Sequence, residues 1–575
     1  MTRRKFLIQG AVLTAVSLLL RVTNMGYRSF LSQEMGAAGM GLYQLIFSIF
    51  MLTVTLSTSG ISLAVTRMVT AAIATGKRQV IRSTVARCFG FCLSISLGIA
   101  LALFCLARPA ARLFLGDAAA APCLRILGVG LPFMSLCTCM KGYFLAVDES
   151  LSTAFSDVME QALTIGATVL LFWRLAPQSL EAACFAAMLS STLGEAVSFL
   201  CSWAAYRRSL KRNTPRRREK AQGVLQGLCH IALPCTLSSA ARSALNTGEN
   251  LLIPRELQRY GLGYSAALSQ YGLLQGMAMP MLYFPSSLLS SFASLLIPKI
   301  AKEREQNHRR AVAHITGKAV RLALAFGMFF SGVFLLFGDS WGMAFYHSGD
   351  AGAYLRVLAP LAPLVYLDVV VDSLLKGLDE QFNSMKYNFA DSFLRVVLVL
   401  CLLRFFGMES YVCILFFSTI FNAALSLHRL LKVAQVRLSL LWHVALPLGC
   451  AALAVTAGKA ALQGMAFSQP LWEGRGGHGG FGGAVRRAVW VPLLGGRKME
   501  GTAAWKAGGG RFLPGQIIFC RAPQRKRICP KIGKPQHTFW RAAVFMALLG
   551  LLPAAYSRPL GMPYLPQMVL TLVAA

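Results

Sequence analysis

Residues 21–67 read RVTNMGYRSFLSQEMGAAGMGLYQLIFSIFMLTVTLSTSGISLAVTR, and the predicted fold depends on this stretch. One long apolar run ends around Arg21 and Arg28, and a second runs from residue 42 to residue 65. Each run is long enough to cross a bilayer, which takes about 20 helical residues. The glycine-rich sequence between them predicts a hinge, because glycine adopts backbone conformations that other residues avoid. The hinge residues are Gly36, Gly39 and Gly41.

The two arginines are unusual in this setting. An arginine inside an apolar span is costly, so it usually faces a protein interior or a water-filled cavity. We therefore predict that Arg21 and Arg28 line a substrate-binding cavity. The alternative is that their side chains extend to the headgroup region at a membrane surface.

Composition predicts a multi-pass helical membrane protein. The chain is 55% hydrophobic and 14% charged, with a mean hydropathy of +0.56, values that lie far from those of a soluble domain. The net charge of +34 comes with basic clusters between apolar runs, which fits membrane topology better than nucleic-acid binding. The 15 cysteines are scattered and match no zinc or disulfide pattern.

Thirteen apolar runs are candidate spans. After the first two they lie near 85–107, 122–147, 157–175, 182–205, 227–253, 270–298, 318–340, 352–378, 385–405, 409–430 and 440–463. Three basic residues at positions 3–5 place the N-terminus in the cytoplasm and the protein in the cytoplasmic membrane. A signal peptide is the alternative for the first run, but no small-residue cleavage site follows it.

A faint internal repeat divides the chain. The sequence RYGLG at 259–263 precedes a second Tyr-Gly-containing apolar run, as the glycine-rich hinge precedes the second span, with a period of about 230 residues. This predicts an all-α fold of two six-helix lobes around a central cavity, with 13–14 transmembrane helices. Chance similarity among apolar helices is the alternative. The predicted domains are an N-terminal lobe (1–206), a basic cytoplasmic linker (207–226), a C-terminal lobe (227–430) and an additional transmembrane helix (431–463).

The end of the sequence departs from this pattern. Residues 464–540 form a basic, glycine-rich segment with 13 Lys or Arg and two acidic residues, and an apolar tail occupies 541–575. Such positive charge is unexpected in the outside position that the topology assigns to it. We interpret the segment as the product of a reading-frame error near residue 463, with a disordered basic insertion as the alternative.

Prolines and polar residues within the spans mark the predicted helix kinks and the predicted binding and ion-coupling residues. Prolines break or bend helices, and the predicted kinks are at Pro280, Pro285, Pro360 and Pro363. Asn246 and Asn250 are predicted to line the cavity. Glu249 and Asp368 are candidates for ion coupling, and Glu249 has no basic residue within one helical turn. If its helix ended early, Glu249 would instead lie in solvent near Arg255.

Two further pairs have the i, i+4 spacing of ion pairs on one helix face, and we interpret both as structural. These are Asp372 with Lys376 and Asp391 with Arg395. No phosphate-binding loop, zinc-protease motif or catalytic triad is visible. We therefore predict a transport protein rather than an enzyme, with no catalytic residue, cofactor or metal.

The order of these motifs carries a family resemblance that covers residues 1–463. The sequence resembles the stage V sporulation protein B branch of the lipid-linked oligosaccharide flippases. The motifs that carry this resemblance are, in chain order, Arg21, Gly26-Tyr27-Arg28, GAAGMGLYQ at 36–44 and LSTSGI at 56–61. That superfamily also holds the MurJ-type flippases and the MATE exporters. The resemblance implies 14 helices in two lobes and identifies Arg21 and Arg28 with the first-helix arginines of the MurJ type. Met281 stands where the MurJ type has an arginine, which favours the sporulation branch over lipid II as the substrate.

The resulting prediction is a flippase that moves a lipid-linked saccharide, such as a peptidoglycan or spore-cortex precursor, across the cytoplasmic membrane. Its expected partners are that substrate, membrane lipids and envelope-synthesis proteins, but not nucleic acid. An exporter of drugs or polysaccharide units and a non-transporting membrane scaffold are the alternatives. Cavity arginines favour a transporter, because a scaffold has no need of Arg21 within a span.

Overall fold

The computed structural model describes residues 3–436, apart from 77, 117, 176, 178 and 214–223, together with Gly449. The predicted segments 464–540 and 541–575 lie outside the described residues, as does most of the additional helix predicted at 431–463. The described chain is helical, with short turns between the helices.

Fourteen α-helices form the described structure. They are α1 (Arg3–Thr58), α2 (Ile61–Ala74), α3 (Arg78–Ala110), α4 (Ala121–Ala146), α5 (Ser150–Leu175), α6 (Leu180–Asn213), α7 (Val224–Arg259), α8 (Tyr264–Tyr271), α9 (Met279–Tyr283), α10 (Ser286–Glu305), α11 (Arg309–Tyr346), α12 (Gly349–Leu358), α13 (Ala362–Gly377) and α14 (Gln381–Ala434). A π-helix at Gly272–Ala278 joins α8 to α9, and a 3-10 turn at Ala359–Leu361 joins α12 to α13.

The spans agree with the apolar runs of the sequence. Eight helices are long and apolar enough to cross a membrane, or nine with the bent pair Tyr264–Tyr283 and Ser286–Glu305. Two of the eight, α1 with α2 and α14, contain glycine breaks and are far longer than the roughly 30 Å of a bilayer core. Dividing both at their breaks and adding α7, which has sufficient length, gives twelve crossings within the described residues. These match the first twelve predicted spans.

Two glycines provide the breaks within the long helices. Gly36 has φ 66° and ψ −173° inside α1, and Gly407 has φ 63° and ψ −152° inside α14. This backbone region is almost exclusive to glycine. Gly39 and Gly41 keep helical geometry, so the predicted hinge is narrower than the glycine-rich sequence suggested. Because successive crossings alternate in direction, the break at Gly36 lies on the opposite side of the membrane from the start of α1. We call the side where α1 starts the near side and the side of Gly36 the far side.

Prolines mark the other breaks. A bend of 51° separates Tyr264–Tyr283 from Ser286–Glu305, with Pro285 at the junction. Pro280 follows the π-helix at the start of α9. Pro360 lies in the 3-10 turn, and Pro363 begins α13. Each of the four predicted kinks therefore falls at or beside an interruption of regular α-helix.

Left-handed backbone positions recur with a nearly constant spacing. Three pairs of such residues are each 231 positions apart: Gly76 and Asn307, Gly116 and His347, and Asp148 and Asp379. Gly36 and Gly261, which precede corresponding spans, are 225 apart. Turns that recur at one period are expected of a duplicated helical unit. The spacing supports two similar lobes, whose boundaries stay a prediction.

A close crossing of glycine residues joins the two sequence halves near the far side. A Cβ at Gly41 would lie 2.2 Å from the carbonyl oxygen of Leu268, and one at Gly272 would lie 2.0 Å from that of Ala37. Gly276 lies against Met40 in the same crossing. Only glycine permits the backbones of α1 and the α8–π-helix segment to approach this closely. The crossing holds α1 against the α8–π-helix segment near the far side.

Candidate functional site

A polar stripe on α1 contains the two predicted arginines. Ser17, Arg21, Asn24 and Arg28 are three or four residues apart, a spacing that puts them on one helix face. Ser17, Arg21 and Asn24 are exposed and Arg28 is half-buried. The stripe therefore places two guanidinium groups and two smaller polar side chains along one face of the first span.

The arginines of this stripe have little neutralising contact. Arg21 Nη2 donates a long hydrogen bond of 3.4 Å to Ser290 Oγ on α10. Arg28 interacts electrostatically with Tyr43 and Tyr346. Within the described residues, neither guanidinium has a carboxylate oxygen within 4.0 Å. The stripe is therefore a positively charged surface available to an anion.

Glu249 is the centre of a different polar cluster, in the second half. The side chain is 4% exposed. The Tyr411 hydroxyl donates a 3.1 Å hydrogen bond to Glu249 Oε1, and Arg395 Nη1 lies 3.5 Å from the same oxygen. The sequence-based expectation of an unpaired carboxylate is therefore wrong, because its cation lies on another helix. The alternative of a solvent-exposed Glu249 is also wrong, because α7 continues to Arg259.

Arg395 connects two acidic residues. Its Nε lies 3.4 Å from Asp391 Oδ2, one turn earlier on α14, and the Ser418 hydroxyl donates to the Asp391 carboxylate. Lys376 Nζ is 2.7 Å from Asp372 Oδ2. Both i, i+4 pairs predicted from the sequence are confirmed, and the first extends to Glu249.

Asn246 and Asn250 hold helices together. Asn246 Oδ1 accepts a hydrogen bond of 3.4 Å from Ser392 Oγ on α14, and Asn250 Nδ2 donates to Ser48 Oγ on α1 at 3.0 Å. Thr247 donates to the Ser48 carbonyl oxygen at 3.0 Å. No described contact brings these amides to the α1 arginines. Their role as cavity ligands stays a prediction, and their observed contacts are between helices.

Asp368 lies half-buried on α13 and has neither an ion pair nor a side-chain hydrogen bond within the described structure. Its electrostatic neighbours are two acids, Asp372 and Asp391, and two cations, Arg242 and Lys376. Arg242, on α7, was missed by sequence reasoning because it has no acidic residue one turn away to mark it. Asp368 therefore lies among charges of both signs without a direct ion pair in the described structure, and its role in ion coupling stays a prediction.

No group of three or more His, Cys, Asp or Glu side chains in the described part of the chain has the geometry of a metal site. The α1 stripe can bind an anion, whereas the second-half cluster combines buried carboxylates with arginine.

The fold defines the class of protein. The structure resembles a lipid II flippase MurJ in an inward closed conformation, with a TM-score of 0.60, 12% identity and coverage of 78% of this chain and 92% of that chain. An inward-facing multidrug resistance MATE family transporter gives a TM-score of 0.58 at 15% identity, covering 73% of this chain and 99% of that chain. The protein has the multi-pass helical fold of these transporters.

Sequence comparison gives the family. Residues 7–303 match the model of the family described as polysaccharide biosynthesis protein, and the chain belongs to that family. Stage V sporulation protein B of Bacillus subtilis (strain 168) is 27% identical over 66% of this chain and 74% of the relative. Sporulation protein YkvU of the same organism is 22% identical over 57% of this chain and 73% of the relative. These findings agree with the predicted resemblance and with a transport protein rather than an enzyme.

Proposed function

We propose that this protein is a flippase that moves a lipid-linked saccharide, carried on a phosphate or pyrophosphate, across the cytoplasmic membrane. The observation that carries the proposal is the pair Arg21 and Arg28 on one face of a membrane-spanning helix, without carboxylate partners among the described residues. Unneutralised cations at membrane depth are costly unless a water-filled path or an anionic ligand stabilises them. A transported phosphate supplies such a ligand.

The chemistry of arginine suits this substrate class. The guanidinium presents five donors in a planar fork that matches phosphate oxygens. Arg21 and Arg28 are seven residues apart, which places them about 10 Å from each other along the helix axis. One pyrophosphate group could therefore move from one arginine to the other during transport. The serine hydroxyl of Ser290 opposite Arg21 adds a further donor.

The relatives support an envelope precursor as the cargo. Two of them are sporulation proteins, and the family is described by polysaccharide biosynthesis. We infer a peptidoglycan or spore-cortex precursor, loaded on the cytoplasmic side where the N-terminus lies. Enzymes of envelope synthesis are then the expected partners on both sides.

The test is a leaflet assay in vesicles that contain the purified protein and a labelled lipid-linked precursor. Arg21→Ala and Arg28→Ala should each slow translocation about tenfold or more, since a hydrogen bond to a charged group contributes about 1.5–3 kcal/mol. Arg404→Ala is the matched control, because Arg404 is exposed and lies over the Phe405 ring. Full activity in both stripe variants would contradict the proposal. Translocation of cationic drugs but not of the precursor would favour an exporter instead.

A further inference from the structure

A further polar cluster lies in the first half, on α4, α5 and α6, and is separate from the Glu249 cluster. Its innermost member is Glu195 on α6, which is 5% exposed. Glu195 Oε2 is buried and has no hydrogen-bond partner among the described residues. Ser198, one turn along the same helix face, is also buried, and its hydroxyl interacts with Glu160 on α5. A buried carboxylate oxygen without a hydrogen-bond partner in a membrane bundle is costly unless it serves a ligand.

Close helix packing builds this position. A Cβ at Gly130 on α4 would lie 2.4 Å from Glu195 Oε2, so the carboxyl group occupies the space that a side chain at 130 would fill. Gly194 allows α5 to approach α6, because a Cβ there would lie 2.9 Å from the Glu160 carbonyl oxygen. The two glycines therefore fix the Glu195 carboxyl between α4 and α5.

A line of charged groups connects Glu195 to the near side. Glu195 interacts electrostatically with Glu160 on α5, and Glu160 interacts with Lys141 on α4 and with Asp157 on α5. Lys141 Nζ lies 2.8 Å from Asp157 Oδ1, and both side chains are about one third exposed. α5 starts on the near side. At 1.5 Å per residue, Asp157 lies about 10 Å and Glu160 about 15 Å along the helix from that start. Glu160 is therefore deeper in the membrane bundle than Asp157.

The outer end of this line opens into a cavity. A cavity of about 260 Å³ between α1, α2, α4 and α5 is lined by Lys141 and Asp157 and also by Ser17 of the α1 stripe. Its volume is sufficient for several water molecules. Water in this cavity can therefore exchange protons with Asp157.

We propose that Glu195 is a proton-binding site, loaded from the near-side cavity through Asp157 and Glu160. In the loading step a proton from cavity water passes along these carboxylates and forms an O–H bond at Glu195 Oε2. Unloading breaks this O–H bond and returns the proton to water, so charge and atoms balance without a further reactant. Protonation removes the charge of a carboxylate that has no cation within 4.0 Å in the described part of the chain. The use of this proton to drive transport rests on the function proposed above, whereas the binding of the proton does not.

The first test measures the proton directly. Infrared spectra of the purified full-length protein at neutral pH should contain the C=O band of a protonated carboxyl group, and that band should shift in D2O. Glu195→Gln should remove part of this band, whereas Glu34→Gln, at an exposed position on α1, should leave it unchanged. A Glu195→Gln spectrum identical to wild type would overturn the proposal. Loss of the wild-type band on adding Na⁺ at constant pH would also overturn it, in favour of a cation site.

The second test separates binding from coupling. Glu160→Gln should keep the Glu195 band but slow its exchange in D2O, because the relay is interrupted. In the vesicle assay, Glu195→Gln should retain translocation without a pH gradient and lose the stimulation that a gradient gives to wild type. If wild type moves no precursor at all, the proposed function fails and the infrared result still decides the proton site. Gradient stimulation that survives in Glu195→Gln would overturn the coupling role.

Discussion

Arg395 Nη1 lies 3.5 Å from Glu249 Oε1, although the two residues are 146 positions apart and belong to different helices. Asp391 lies on the other side of the same guanidinium. Arg395 is therefore shared between one acid on α7 and one on α14, and it links these two helices. Any change at Glu249 alters the environment of a buried cation as well as a carboxylate.

The first prediction concerns this pair. Glu249→Ala and Arg395→Ala should each lower the free energy of unfolding by about 3–5 kcal/mol, because either change leaves a buried partner uncompensated. The double variant should lose less than the sum of the two single losses. Denaturant or thermal unfolding of the protein in detergent measures this. Additive losses would show that the two groups do not interact.

The proposed role of Glu249 in ion coupling can be tested in the same variants. Glu249→Gln keeps an acceptor for the Tyr411 hydroxyl but removes the charge that faces Arg395. If Glu249 couples an ion to transport, this variant should lose the effect of a pH gradient in the vesicle assay. Because the carboxylate already has a cation partner, retention of the full effect would assign it a structural role.

A further prediction concerns the glycine crossing on the far side. Gly272→Ala should force α1 and the π-helix segment apart, since its Cβ would lie 2.0 Å from a backbone oxygen. Gly41→Ala should act in the same way. The expected result is greater accessibility to thiol reagents of a single cysteine at Ala37, in an otherwise cysteine-free protein. Gly166→Ala on α5 is the control, because open space surrounds it, and equal accessibility in all variants would argue against a close crossing.

A prediction of pH dependence follows from Glu380, which lies between α13 and α14. Arg429 Nη2 lies 3.0 Å from Glu380 Oε1, and its Nε lies 3.1 Å from Oε2. Burial alone would raise the pKa of Glu380, but hydrogen bonds from Asn383 and Arg429 outweigh it and lower the pKa below its ordinary 4.5. The unfolded state then takes up the proton at higher pH than the folded state. The stabilisation is fully present above about pH 4.5 and is lost as pH falls through the folded pKa.

The measurement is thermal stability at several pH values. At pH 6, Glu380→Gln should be less stable than wild type by about 1 kcal/mol, and the difference should shrink toward pH 3. Glu305→Gln, at an exposed position, is the control. A constant difference across this range would mean that the Glu380 charge does not contribute.

Topology gives the last prediction. Arg212 at the end of α6 and Ser348 before α12 are separated by three crossings, so they should lie on opposite sides of the membrane. Single cysteines at these positions in a cysteine-free protein should react with an impermeant thiol reagent from opposite sides, with the residue-212 variant protected in intact cells. Labelling of both from outside would contradict the predicted orientation and the number of crossings.

The sequence by itself determined the twelve described spans, the breaks at Gly36 and at the prolines, and the family. Apolar runs of bilayer length, a glycine-rich stretch containing Gly36 and the pair Pro280 and Pro285 are local signals, because they act through the backbone of the segment that contains them. The ion pairs Asp372–Lys376 and Asp391–Arg395 were predictable for the same reason. Both partners lie one turn apart on one helix.

Only the tertiary structure decided which residues meet across helices. Glu249 has no cation nearby in sequence, and its partner Arg395 arrives through the packing of α7 against α14. The sequence predicted Gly41 as part of a hinge. In the structure Gly41 instead packs against the backbone of Leu268, a contact that forms only when the chain folds. Among the described residues, the separation of Arg28 from carboxylates and the burial of Glu195 likewise depend on how the neighbouring helices pack. Periodicity along one helix determines which face a residue occupies, whereas the energy of a charge depends on what the other helices place opposite that face.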